Sequence, residues 1–162
     1  MEALRDLYVD QLRDAWSAEN QILEALPRMA GKAHSPALRA AFEQHVNKTE
    51  GHVNRLRDIL GSLGEKPGGK KCRGMEGLLK EGEEALSSND SADVRDAALI
   101  GAAQKVEHYE MALYGTLRAY AKRIGNDDDA ALLQRTLDEE QAADRELTRI
   151  ATDGVNEQAI RR

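Results

Sequence analysis

Several residue types are scarce in this sequence, and each scarcity argues against a class of protein. The 162 residues include one cysteine, Cys72, so no disulfide can form within the chain and a reducing compartment is expected. No apolar run is long enough to cross a bilayer, and the first residues lack the apolar core of a signal peptide. We therefore expect a cytoplasmic protein that does not interact with membranes.

Proline, aromatic residues and positive charge are also sparse. Three prolines and 4 % aromatic residues accompany 41 % hydrophobic and 32 % charged residues, a composition typical of helical proteins. The net charge of −6 argues against a nucleic-acid partner. One short basic cluster, Lys66–Arg73, contains glycines and is interpreted as a solvated loop rather than a phosphate site.

Turn and capping residues divide the chain into four long segments with helical spacing of apolar residues. These segments are residues 2–32, 36–63, 92–124 and 129–153. Ser35 and Pro36 form a typical helix start, and residues 64–91 form a long crossover with a short helix at 75–87. The tail, residues 154–162, is expected to fray.

Two short connections flank this one long crossover, an order that is typical of ferritin-like bundles. We therefore predict a single all-α domain over residues 1–162. Its fold would be a ferritin-like antiparallel four-helix bundle, with the crossover between the second and third long helices. The crossover would carry the short extra helix.

The stretch KVEHYEMALYGTL, residues 105–117, places two carboxylates on an apolar helical stripe. Glu107 and Glu110 lie on the same predicted face as Ile100, Tyr114 and Leu117. An ionised carboxylate that is buried without a partner is costly. This pair therefore requires a partner inside the bundle.

Similar interruptions lie near the middle of the other three long helices. The first helix has Glu19, and the fourth has Glu140 and Asp144, which are one turn apart. The second helix offers His45 and His52, each beside a valine that competes for the inward position. Antiparallel packing brings the helix midpoints to a common level, where five carboxylates would repel one another strongly.

Either protonation or bound cations can relieve this repulsion. Carboxylates combined with imidazole suit a pair of first-row divalent ions, which bring four positive charges against five negative ones. Taken singly, Glu19 or Asp144 could pair with a neighbouring arginine, and each histidine could be a satisfied core residue. Glu140 lies in an acidic run, DEE, that is ordinarily solvated. The coincidence on several helices nevertheless favours a metal site.

Five stretches of the sequence resemble the YciF/YciE family of ferritin-like bacterial stress proteins. They are SAENQILEALPRM, FEQHVNKTEGHVNRL, KKCRGMEGLL, RDAALIGAAQKVEHYEMALYGTL and LLQRTLDEEQAADRELTRIA. Together they cover nearly the whole chain in order, and residues 95–117 are especially close to the YciF branch. The resemblance implies a rubrerythrin-like four-helix bundle, a homodimer and a di-iron centre.

The resemblance also implies metal-ligand roles by position. Glu19 matches the first-helix glutamate of rubrerythrin-like sites, and Glu107 and Glu110 match a Glu-x-x-Glu third helix. Glu140 and Asp144 lie four residues apart on the fourth helix, as in this family.

The second helix departs from the family pattern. Related chains read His-x-x-Glu-Thr, and here Lys48 stands at the glutamate position. The bridging carboxylate of this helix is therefore missing or replaced. His52 is the leading candidate for the replacement, and Glu50 and His45 are further candidate ligands.

Two functions follow from these interpretations. The first is an oxidoreductase or ferroxidase-like di-iron centre that reacts with oxygen or peroxide, with electrons from an external donor because no Cys-x-x-Cys pair is present. The second is a non-catalytic stress protein, a helical dimer with a vestigial site or a single structural ion. Glu107 and Glu110 favour the first, and Lys48 favours the second. Manganese and zinc would accept the same ligands as iron.

Overall fold

The computed structural model describes residues 3–87 and 89–160, and these residues form helices and connecting turns without a strand. The helices are α1 (Leu4–Lys32), α2 (Pro36–Ser62), α3 (Arg73–Ser87), α4 (Ala92–Arg123), α5 (Asp127–Ile150), a π-helical turn (Ala151–Val155) and α6 (Asn156–Ile160). The four predicted long helices correspond to α1, α2, α4 and α5, and the predicted short helix of the crossover corresponds to α3. The expected start of the first helix at Glu2 lies outside the described residues.

Local sequence explains where these helices begin and end. The Ser35 hydroxyl accepts a hydrogen bond from the backbone N–H three residues later, and Pro36 occupies the first turn of α2. Ser91 caps α4 in the same way. Gly64 and Gly125 follow the ends of α2 and α4 with φ of 73° and 84°, a left-handed conformation that favours glycine.

The helices pack as two hairpins. α1 packs on α2 and α4 packs on α5, while contacts between α2 and α5 and between α1 and α4 join the two hairpins. α3 lies against α4 and α1. The observed fold is the all-α bundle with a long crossover that the sequence predicted.

The crossover is fixed to the bundle around Cys72. The Cys72 backbone N–H donates to the Ser17 hydroxyl at 3.0 Å, and its sulfur lies 3.1 Å from the Tyr109 hydroxyl. Gly74 packs so closely on the Tyr109 ring that an added Cβ would lie 2.8 Å from Cε2. The basic loop before this point is partly neutralised, because Lys70 forms an ion pair with Asp10.

The tail was expected to fray from Gly154, but the structure continues as helix to Ile160. The side chain of Val155 is 4 % exposed, and the π-helical turn and α6 both contact α4. Burial of this apolar residue holds the tail against the bundle, which the few residues beyond Gly154 did not indicate in the sequence. Residues 161–162 lie outside the described part of the chain.

Apolar side chains form two clusters, one on either side of the bundle midpoint. One cluster contains Ile22, Leu26, Phe42, Leu99, Ile100 and Leu147. The other contains Tyr8, Leu12, Leu56, Leu60, Leu117 and Leu133. No described helix is long and apolar enough to cross a membrane.

The turn between α1 and α2 depends on one buried carboxyl group of α4. Asp96 is 1 % exposed, and its two oxygens accept hydrogen bonds from the backbone N–H groups of His34 at 2.9 Å and Ser35 at 2.6 Å. We expect Asp96→Ala to lower the free energy of unfolding by about 3 kcal/mol, because both N–H groups lose a charged acceptor. Chemical denaturation measures this change. The exposed Asp90→Ala is the control, and equal effects of the two substitutions would contradict the assignment.

Candidate metal centre

A layer of polar side chains lies between the two apolar clusters. All six of its titratable members are 7 % exposed or less. They are Glu19 of α1, His45 and His52 of α2, Glu107 and Glu110 of α4, and Glu140 of α5. Each helix of the bundle therefore contributes at the same level, as the interrupted stripes of the sequence predicted.

These side chains form two compact groups of candidate metal ligands. His45, Glu107, Glu110 and Glu140 form one group, and Glu19, His52 and Glu140 form the other. Within each group, one nitrogen or oxygen atom per residue lies within 4.8 Å of the corresponding atoms of the other members. Glu140 belongs to both groups, so its two oxygens can bridge two cation positions.

His52 connects the polar layer to the surface. Its Nδ1 lies 2.8 Å from Glu140 Oε1 and 3.2 Å from Glu19 Oε1. Its Nε2 lies 2.8 Å from Glu139 Oε2. Arg55 donates to both oxygens of Glu139 at 2.9 Å, so the outer carboxylate is held in place. Such an acceptor on the distal nitrogen is typical of a metal-binding histidine.

Proton binding at His52 stabilises this arrangement before any cation binds. Burial by itself lowers the pKa of His52, but the nearby carboxylates of Glu140 and Glu19 outweigh it and raise the pKa to about 10. Burial raises the pKa of Glu140, but its close contacts with Glu107 and His52 outweigh it and hold that pKa at about 2. The two opposite pKa shifts favour an imidazolium–carboxylate pair in the metal-free centre.

His45 has a different protonation state. Its Nε2 lies 3.3 Å from Glu107 Oε1 and 3.6 Å from Glu140 Oε2. Burial lowers the pKa of His45 and outweighs the charge of Glu140, so the imidazole is neutral at neutral pH. A neutral imidazole has a lone pair that can coordinate a cation.

The surroundings of the two α4 carboxyls, Glu107 and Glu110, disfavour their ionisation. Burial raises the pKa of both Glu107 and Glu110 well above the usual value, and the charges of Glu140 and Glu19 raise them further. Neither oxygen of Glu110 has a hydrogen-bond partner within the described residues. Because buried carboxyl oxygens are seldom left unsatisfied, this donor set fits a cation.

Sequence reasoning missed one polar neighbour of the centre. The acidic run that contains Glu140 is ordinarily solvated, but its member Glu139 contacts His52 and Arg55. Tyr114 lies on the inward stripe of α4, as predicted, and is fully buried there, with its hydroxyl donating a hydrogen bond to Glu19. The interrupted stripe of α4 already placed Tyr114 one turn beyond Glu110, whereas no pattern in the sequence indicated Glu139.

Two candidate ligands lie outside both groups. Asp144 accepts a hydrogen bond from Gln104 at 3.2 Å and lies 3.3 Å from His108 Nε2, and its side chain is 19 % exposed. Glu50 is exposed on the outer face of α2. Lys48, at the family's glutamate position, is also exposed and belongs to neither group.

Comparison with solved structures defines the class of fold. The crystal structure of the stress protein YciF of E. coli has a TM-score of 0.93 over 96 % of this chain and 99 % of that chain, at 42 % identity. A structure described as ferritin-like, diiron-carboxylate proteins, from Bacillus anthracis str. Ames, has a TM-score of 0.73 over 93 % of this chain and 99 % of that chain, at 16 % identity. The protein is therefore a ferritin-like helical bundle.

Sequence comparison defines the family more closely. The family described as "Domain of unknown function (DUF892)" matches residues 3–160. The chain is 42 % identical to Protein YciF of Escherichia coli (strain K12) over 160 residues, which are 98 % of this chain and 96 % of that protein. YcfI of Rhodopseudomonas palustris, which is described as structural, is 39 % identical with a TM-score of 0.88 over 91 % and 94 % of the two chains. The chain therefore belongs to the DUF892 family, and the resemblance to YciF that the sequence predicted is confirmed.

The raised pKa values of Glu107 and Glu110 predict how stability depends on pH. Carboxyls with raised folded-state pKa values stabilise the metal-free fold below the unfolded pKa, about 4.3, and this stability is lost as pH rises through the folded-state values. The double variant Glu107→Gln/Glu110→Gln lacks both carboxyls and therefore does not lose this stability as pH rises. We expect the free energy of unfolding of the variant, minus that of the parent, to increase from pH 4.5 to pH 8, because only the parent must ionise these buried carboxyls over this range.

Denaturant unfolding of metal-free protein at several pH values measures this difference. The exposed pair Glu43→Gln/Glu50→Gln on α2 is the matched control, because it removes the same formal charge from solvated positions. Parallel pH profiles for the parent and the Glu107/Glu110 variant would contradict the predicted charge strain.

Proposed function

We propose that the polar layer binds two divalent cations that share Glu140, and that these cations are iron. One cation would be held by His45, Glu107, Glu110 and Glu140, and the other by Glu19, His52 and Glu140. The observation that carries this proposal is the presence of two compact ligand groups with one buried carboxylate in common. The imidazole and carboxylate donors suit iron, and they also suit manganese and zinc.

Charge supports two cations rather than one. The two groups contain four carboxylates, those of Glu19, Glu107, Glu110 and Glu140. Two divalent ions supply four positive charges and neutralise them, so that protons on Glu107, Glu110 and His52 are no longer needed. Binding of both ions would therefore release protons, and affinity would rise with pH.

The chain orients the ligands and excludes water around them. Tyr114 holds Glu19, and Glu139 accepts the hydrogen bond of His52 Nε2, which leaves Nδ1 directed at the centre. Burial raises the pKa of Glu139, but hydrogen bonds from Arg55 and His52 outweigh it and lower the pKa to about 2. When bound, two ferrous ions would supply electrons to oxygen or peroxide.

The proposed setting is a cytoplasmic stress response in which the protein acts as a homodimer. Its relative in E. coli is described as a stress protein. Electrons for repeated turnover would come from an external donor, because the single cysteine of this chain cannot form a redox pair.

A second candidate function is a non-catalytic dimer with one structural ion. It is favoured because α2 contributes no carboxylate to the polar layer. Glu50 is exposed, and Lys48, which stands at the family's glutamate position, is exposed as well. The group of Glu19, His52 and Glu140 consequently has three members, whereas the other group has four. Under this alternative only the four-membered group binds an ion.

An anaerobic ferrous titration of metal-free protein distinguishes the two functions. We expect two ions per chain, followed by rapid formation of ferric absorbance when oxygen or peroxide is added. Glu107→Gln/Glu110→Gln removes two of the four ligands of one group and should leave at most one ion per chain, while circular dichroism still shows a helical fold. Glu43→Gln/Glu50→Gln should bind like the parent. One ion or none, without oxidation, would overturn the di-iron proposal and favour the structural function.

The contact between His52 and Glu139 predicts a separate effect on affinity. Glu139→Gln removes the charged acceptor of His52 Nε2 without removing a ligand, so we expect metal affinity to fall about 10-fold or more. Competition with a chelator measures this change. The exposed neighbour Asp138→Asn is the control, and unchanged affinity of the Glu139 variant would show that this carboxylate does not support the centre.

A further inference from the structure

An apolar cavity of about 270 Å³ lies next to the polar layer and is lined by residues of the four long helices and of α3. Its wall consists mainly of aliphatic side chains, among them Leu78, Leu79 and Leu86 of α3. His45 and Glu107 form the part of the wall that belongs to the polar layer. The cavity thus extends from the edge of the candidate metal centre to the crossover helix.

Small side chains create this space. Ala102 and Ala103 of α4 and Ala142 and Ala143 of α5 line the cavity where larger apolar residues would fill it. Protein interiors rarely contain voids larger than a water molecule. An engineered apolar cavity of about 150 Å³ binds benzene, so the present cavity has room for about ten carbon atoms. Its size therefore suits one alkyl chain.

The charged side chains that line the cavity indicate where a polar group would bind. Arg28 forms an ion pair with Glu83 at 2.9 Å, and Glu146 forms one with Arg149 at 2.6 Å. Lys48 is exposed and has no ion-pair or hydrogen-bond partner within residues 3–87 and 89–160. Its ammonium group is therefore the one unpaired positive charge that the described part of the cavity wall presents to an anion.

We propose that this cavity binds a medium-chain fatty acid, with the alkyl chain among the alanine and leucine side chains and the carboxylate at Lys48. The apolar wall supplies most of the affinity, and the unpaired ammonium group selects an anionic end. This site goes beyond the proposed metal function, because its binding surface is present without a cation. A bound chain would lie against His45 and Glu107, next to the candidate metal centre.

Calorimetric titration of the full chain with decanoate tests the proposal, with decan-1-ol as the uncharged comparison. We expect one decanoate per chain, in metal-free and in iron-loaded protein. Lys48→Met keeps the aliphatic stem and should weaken decanoate about fivefold, the upper effect of an exposed ion pair, while decan-1-ol is unaffected. Lys122→Met, at an exposed lysine near the end of α4, is the matched control and should bind like the parent.

Substitutions that fill the cavity test its location. Ala143→Phe should remove binding of both ligands, and the smaller change Ala143→Leu should weaken both, with circular dichroism reporting the fold. Binding of decanoate to Ala143→Phe as to the parent would overturn the site. Equal decanoate affinities of Lys48→Met and Lys122→Met would overturn the role of the ammonium group. Binding to anionic phospholipid vesicles without binding of free decanoate would replace the cavity by a surface interaction.

The two proposals can fail independently. The ferrous titration reports on the polar layer whether or not decanoate binds. Decanoate binding to metal-free protein reports on the cavity whether or not iron binds. A protein that bound decanoate but no iron would retain the cavity proposal and lose the di-iron proposal.

Discussion

The carboxylate of Glu140 is the interaction on which the rest of the centre depends. It is fully buried, it lies within hydrogen-bond distance of His52, and it belongs to both groups of candidate ligands. A buried carboxylate of this kind is tolerated only when positive charge or hydrogen donors compensate it. In the metal-free protein a proton on His52 supplies this charge, and the raised pKa of Glu107 reduces the negative charge beside Glu140. These groups therefore compensate the buried charge of Glu140 and keep candidate cation ligands together in the interior of the bundle.

The level of this polar layer is fixed by the apolar clusters on either side of it. Along α1, Glu19 lies between Ala15 of one cluster and Ile22 of the other. Along α5, Glu140 lies between Leu137 and Leu147 in the same way. Sliding one helix by a turn would expose apolar side chains and also separate Glu140 from His52. Packing and electrostatics therefore favour the same register, which is the consistency expected of a well-specified fold.

The sequence was most informative where a carboxylate interrupted an otherwise apolar stripe. Glu19, Glu107, Glu110 and Glu140 were all placed on inward faces for this reason, and all four are buried. The sequence also predicts that Asp144, one turn beyond Glu140, lies on the inward face of α5. A side chain at the edge of such a face contacts whichever neighbouring helix lies there, and the sequence does not identify that helix. At this edge α4 presents Gln104 and His108, which satisfy Asp144 outside the centre. The role of Glu139 was hidden for the related reason that its partners, His52 and Arg55, come from α2.

The outward position of Asp144 changes the charge balance inferred from the sequence. With Asp144 outside the two groups, the centre contains four carboxylates rather than five, and α2 contributes two imidazoles in place of a carboxylate. Two divalent ions then balance the ligand charge without help from a lysine or a retained proton. The absence of the second-helix glutamate, which weighs against the centre when the sequence is considered alone, is therefore compatible with two ions. The same substitution places an unpaired ammonium group at the wall of the apolar cavity, which His45 also lines.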